Sequence, residues 1–130
     1  MPVEYRFIVF RPSEAALALA QFARRNGRKI PKGKPINAEP VTTADPPSGV
    51  LVIEAEDASE VPVSFKSEEV VAALILHCLT TKIPLPQNSE KVLETFKLDN
   101  TKRFALRIGV FPDAGKPEKP AGRDADDPSS

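Results

Sequence analysis

His77 is the only histidine and Cys78 the only cysteine of this 130-residue chain, and the two are adjacent. Neighbouring positions on a helix point about 100° apart. An imidazole and a thiol placed there cannot share a proton, which excludes a nucleophile and base dyad. Structural zinc takes about four Cys or His ligands and catalytic zinc about three protein ligands, so only an all-carboxylate or mixed metal site would remain. Both residues are read as packing: Cys78 lies on an apolar stripe, where a free thiol behaves as a small hydrophobe, and His77 borders it.

Paired acids are the next candidates. Glu54 and Glu56 are two apart in a strand and therefore share a face, where two carboxylates can meet one substrate. Their simpler role is a solvated strand end that resists edge pairing. Glu68 and Glu69 stand at a helix start, where the dipole favours them. The six glycines are dispersed, and neither strand-to-helix junction, "FRPSEA" or "FKSEEV", contains one, so no phosphate-cradling loop is present. The chain is expected to be non-enzymatic, with no catalytic residue, cofactor or metal; a small enzyme with a carboxylate-based site is the third choice.

The densest chemical signal is the run "RRNGRKIPKGK", with Arg24, Arg25, Arg28, Lys29, Lys32 and Lys34. Residues 1–34 carry eight Lys/Arg against two acids, a net +6 that the rest of the chain balances with −6. Such a run attracts phosphates by counterion release. Against nucleic acid stand three facts. Cations are expected at a helix C-terminus for dipole reasons, no aromatic residue is interleaved for base stacking, and the pI of about 6.6 is not basic. A ribbon-helix-helix reader would send Pro62, Ser64 and Lys66 into a groove, with one base among them. The expected function is a small binding or regulatory module that works through protein contacts. Arg24 to Lys34 form its first contact surface, Arg103 and Arg107 on the last strand its second, and nucleic-acid binding is the alternative.

The elements that must position these residues follow from pattern. "VEYRFIVF" alternates with period two and reads as a strand. A helix follows, with Ser13 as cap and Gly27 as terminator. Residues 28–48 hold five prolines and no apolar periodicity, which predicts a long loop. "GVLVIEAED" and "EVPVSFK" form a hairpin turning at Asp57, Ala58 and Ser59; Pro62 puts the second strand at an edge. "SEEVVAALILHCLTTK" is the most periodic helix, capped by Ser67. "NSEKVLETF" reads as a short third helix, and "KRFALRIGVF" as a strand with Phe104, Leu106, Ile108 and Val110 on its apolar face.

The order β-α-β-β-α-(α)-β predicts a ferredoxin-like α+β fold, a four-stranded antiparallel sheet with helices on one face. Its open face is then available for dimerisation or ligand contact. The two halves match in element order, with no repeat seen in the residues. One domain is expected over 1–111, and a disordered tail over 112–130, which contains no Val, Ile, Leu, Met or aromatic residue. The absence of a long apolar window excludes a transmembrane helix. The lone cysteine and the polar N-terminus point to a cytoplasmic protein.

Overall fold

The computed structural model describes residues 4–43, 46–86 and 89–110. The chain is α+β, with element order β1 (Glu4–Val9), α1 (Pro12–Arg25), β2 (Lys34–Val41), β3 (Ser48–Glu54), β4 (Glu60–Phe65), α2 (Ser67–Thr80), β5 (Glu90–Leu98) and β6 (Thr101–Val110). Two three-stranded antiparallel sheets, β1-β6-β5 and β2-β3-β4, stand where one four-stranded ferredoxin-like sheet was expected.

Two misread segments account for the difference. The proline-rich stretch 28–48 was expected to be a loop, yet Lys34–Val41 forms a strand paired with β3. Pro35 and Pro40 are tolerated because β2 is an edge strand, and the register slips between Pro35 and Asn37. The segment expected to be a third helix is instead β5, joined to β6 by Asp99 and Asn100. Both turn residues have positive φ, 52° and 62°, the geometry of a type I′ turn, whose twist matches the flanking strands. The hairpin of β3 and β4 agrees with expectation: Asp57 accepts hydrogen bonds from the Ser59 amide and hydroxyl, and these hold its carboxyl below the ordinary carboxylate range. The tail expected over 112–130 lies outside the described residues.

Both helices begin earlier than the two serines suggested, with Arg11 and Lys66 as the N-cap residues. The decisive groups are the third-position acids. Glu14 accepts the Arg11 N–H at 2.9 Å and Glu69 accepts the Lys66 N–H at 2.8 Å, each the acidic half of a capping box. At the far ends, Gly27 and Lys82 both take a positive φ, 71° and 63°.

These parallels belong to a repeat that spans the described fold. Positions 55 apart are equivalent: Phe10 and Phe65, Glu14 and Glu69, Ala18 and Ala73, Leu19 and Leu74, Leu51 and Leu106, Ile53 and Ile108 are identical pairs. The strand ladders obey the same offset. Ile8 lies opposite Leu106 as Val63 lies opposite Leu51, and Leu93 opposite Leu106 as Ala38 opposite Leu51. Each half is a β-α-β-β unit, and each lends its first strand to the other half's hairpin: β1 pairs with β6, β4 with β3. The halves are thus interlocked rather than adjacent.

One core results. Leu19, Leu51, Ile53, Leu74, Phe104 and Leu106 are fully buried within a single cluster fed by both helices and both sheets. The repeat is broken at its centre, where Gly49 is the counterpart of Phe104. A Cβ on Gly49 would fall 2.8 Å from the Phe104 ring, so one side chain fills the space that two equivalent positions face.

Candidate functional site

The basic run is divided among several settings. Arg24 and Arg25 are exposed in the last turn of α1. With Leu17, Gln21, Leu76, His77, Thr80 and Thr81 they line an open groove of about 560 Å³ between the helices. Arg28 turns inward: it donates to the Ser64 carbonyl, lies 4.3 Å from the centre of the Phe65 ring, and pairs with Glu69 at 3.6 Å. It therefore ties the end of α1 to the start of α2 and is occupied by the fold. Lys29 and Lys32 are exposed in the loop, and Lys34 opens β2 opposite Glu54.

The residues weighed for catalysis stand apart. His77 is buried in α2 with its ring edge-on to Phe10, centroids 6.2 Å apart, and its Nδ1 has no hydrogen-bond partner. Cys78 is fully buried, and desolvation pushes its thiol above the ordinary range. Glu54 and Glu56 are exposed. Among the described residues no group of three or more His, Cys, Asp or Glu is placed to hold a metal ion.

Arg103 and Arg107 are brought into company. Antiparallel partners share a face, so the ladder places Tyr5, Phe7 and Val9 of β1, Arg103, Ala105, Arg107 and Gly109 of β6, and Glu90, Val92, Glu94, Phe96 and Leu98 of β5 on one side of the sheet. Leu93, Phe104 and Leu106 occupy the opposite, core side. The outer side is apolar and wet: Tyr5 is 51% exposed, Phe7 48%, Leu98 44% and Val9 37%, four of the six exposed large hydrophobics described. The corresponding face of β2-β3-β4 offers Asn37, Glu39, Val50, Val52, Pro62 and Ser64, and none of these is an exposed large hydrophobic.

This outer face is ordered by its own contacts. Phe7 and Phe96 meet edge-to-face at 5.2 Å, flanking the strand that carries the fully buried Ala105. Arg107 lies 5.3 Å from the centre of the Tyr5 ring and pairs with Glu94 at 3.4 Å. The Nε atoms of Arg103 and Arg107 are both buried without a hydrogen-bond partner. Arg103 makes no ion pair among the described residues. Two arginines and two glutamates make the face electrically neutral at close range. Sequence reasoning found the arginines but not the aromatic surface around them, because Phe96 was assigned to a helix; the turn "DN" after Leu98 was the signal that would have placed it.

No protein-family model, curated protein or solved structure matches the chain. Among the described residues no helix is long and apolar enough to cross a membrane.

Proposed function

We propose that this chain is a non-enzymatic binding module of the cytoplasm that docks a protein through the outer face of the β1-β6-β5 sheet. One observation carries the reading. Tyr5, Phe7 and Val9 are exposed in a row along β1, with half-buried Phe96, Arg103 and Arg107 beside them and exposed Leu98 at the far end of β5. Contiguous exposed apolar area on a soluble domain marks an interaction site. Tyr, Phe and Arg are among the residue types enriched in protein interfaces: the rings bury large apolar area, and the arginines offer several hydrogen-bond donors to the partner.

Single-stranded nucleic acid also stacks on aromatic sheet faces, but it needs a positive track beside the rings. Here Glu90 and Glu94 balance Arg103 and Arg107. The basic segment from Arg24 to Lys34 retains an accessory role, electrostatic steering of an acidic partner by Arg24, Arg25, Lys29 and Lys32; Arg28 is excluded from it by its contacts with Ser64, Phe65 and Glu69.

The test is site-specific photo-crosslinking of the full chain in cells. A photoreactive phenylalanine at position 7 or 96 is expected to give a discrete protein adduct, and the same group at Leu17 or Lys32 a weaker one or none. Adducts only at positions 17 or 32, or transfer of the label to RNA from positions 7 and 96, would defeat the assignment.

A further inference from the structure

We infer that the groove between α1 and α2 is a binding site for a small organic carboxylate with an apolar body. The site is separate from the docking face, and neither assignment depends on the other. Its central residue is His77, which lines the groove while being only 7% exposed. The ring makes no hydrogen bond among the described residues. Nδ1 is shut away from solvent, which leaves Nε2 as the nitrogen that faces the groove. Buried polar side-chain atoms are nearly always hydrogen-bonded. The fold does not impose this exception, because the equivalent position of the first repeat, 55 residues earlier, holds Phe22. A histidine where phenylalanine packs points to a ligand that completes its hydrogen bonding.

The rest of the lining fixes the class of ligand. Arg24 and Arg25 are exposed on the α1 wall and make no ion pair among the described residues. No Asp or Glu lines the groove among the described residues. Both helices bring their last turns to it, and each C-terminus carries roughly half a negative charge. Two arginines against two such ends leave about one positive charge, which suits a monoanion better than a phosphate dianion. A guanidinium forks two hydrogen bonds onto a carboxylate. Neutral imidazole can hold its proton on either nitrogen, and a bound carboxylate selects the form with the proton on Nε2 as a further donor. Thr80 and Thr81 both donate their hydroxyl protons to the His77 carbonyl, so the arginines and the imidazole are left to hold the anion. Leu17, 42% exposed, and half-buried Leu76 supply apolar walls for the body of the ligand.

Size sets the expected affinity. The groove holds about 560 Å³, within the range of roughly 300–1,000 Å³ usual for small-molecule sites. It is open to solvent, so it covers one side of a short chain or a single ring rather than enclosing it. A ligand of roughly eight non-hydrogen atoms then binds reversibly, with a Kd on the order of 1 mM.

The experiment is a nuclear magnetic resonance titration of the purified full chain at neutral pH with hexanoate and with phenylpropanoate. The sole histidine gives a single set of imidazole signals, and these are expected to shift saturably with both probes. Hexanamide, which lacks the charge, and inorganic phosphate, which lacks the apolar body, are each expected to bind at least tenfold more weakly. Replacing Arg24 and Arg25 together by Gln is expected to weaken hexanoate at least tenfold. Replacing Lys29 and Lys32 together by Gln removes two exposed cations outside the groove and is expected to leave the Kd unchanged. In His77→Phe the Leu17 and Leu76 methyl signals report binding, which is expected to fall at least fivefold while the variant melts no lower than the wild type; a packing role alone would not give that combination. Circular dichroism confirms that each variant is folded, and the exposed arginine pair keeps the test independent of the core. No saturable shift with either carboxylate up to about 20 mM overturns the inference, as does binding of hexanamide or phosphate as tight as that of hexanoate. A His77→Phe variant that binds like the wild type, or a lysine pair whose loss weakens hexanoate as much as loss of the arginines, overturns it equally.

Discussion

Replacing His77 by Phe is expected to make the protein more stable. His77 is 7% exposed, and its Nδ1 is buried with no partner; an unsatisfied buried polar atom costs about 1–3 kcal/mol. Phenylalanine removes that atom and is slightly larger, and overfilling a closed core costs a similar amount. The site is not closed, because His77 lines the open groove between α1 and α2. The repeat supplies a second reason: the residue 55 positions earlier is Phe22, so the same fold already accepts a benzene ring at this helix position. The edge-on contact with Phe10 is retained as a pair of phenyl rings, a geometry worth about 0.5–1.5 kcal/mol. A net gain of about 1 kcal/mol follows, which in a domain of this size raises Tm by roughly 4 °C. Thermal and urea unfolding followed by circular dichroism measures it. A loss of 1 kcal/mol or more in a variant with unchanged far-ultraviolet spectrum would refute the reasoning, since it would mean that the imidazole is satisfied or the space around it shut. The reciprocal Phe22→His is expected to lose stability.

Arg28→Met keeps the aliphatic stem and removes the guanidinium from Phe65, Ser64 and Glu69; a loss of about 1–2 kcal/mol is expected. Because the Arg28–Glu69 pair is about one-third exposed on each side, it contributes little of this, and urea melts in low and high salt should show the same difference; a difference abolished by salt would contradict the assignment. Cys78 has its thiol pKa raised by burial, so the unfolded chain loses this proton first. Stability from Cys78 is fully present below the ordinary thiol value of about 8.5 and is lost as pH rises toward the folded value. Urea melts from pH 7 to 10 should show a steeper decline for the wild type than for Cys78→Ala, and parallel curves would contradict the burial. Cutting the chain at the Asp57–Ala58 turn and co-expressing the pieces should give a folded complex, because each sheet needs a strand from the other half. A half that sediments as a folded monomer by itself would contradict the interlocked topology.

Much of the fold was legible because it is local. Gly27 ended α1, the apolar stripe of α2 marked its buried side through Leu74 and Cys78, and Asp57 and Ser59 closed the hairpin of β3 and β4. β2 was not legible, since prolines normally argue against a strand and only an edge position excuses them. β5 was misread because "KVLETF" spaces its apolar residues in a way that suits a helix as well as a strand, and an apolar run this short leaves periodicity ambiguous. The repeat escaped notice because it survives mainly in buried or capping positions, Phe10 and Phe65, Glu14 and Glu69, Leu51 and Leu106, while exposed positions have diverged.

Composition and spacing alone therefore determined the α+β class, the two helices and the want of a Cys/His dyad or zinc ligand set, since each depends on residues close in the chain or on counts. The exchange of first strands between halves, the inward turn of Arg28 onto Phe65, and the gathering of Tyr5, Phe7, Phe96, Arg103 and Arg107 on one surface were decided by tertiary structure. Those residues lie up to about a hundred positions apart in sequence. Only the pairing of β1 and β5 on either side of β6 makes them neighbours, and strand pairing over such distances is governed by which faces can bury each other rather than by any local preference.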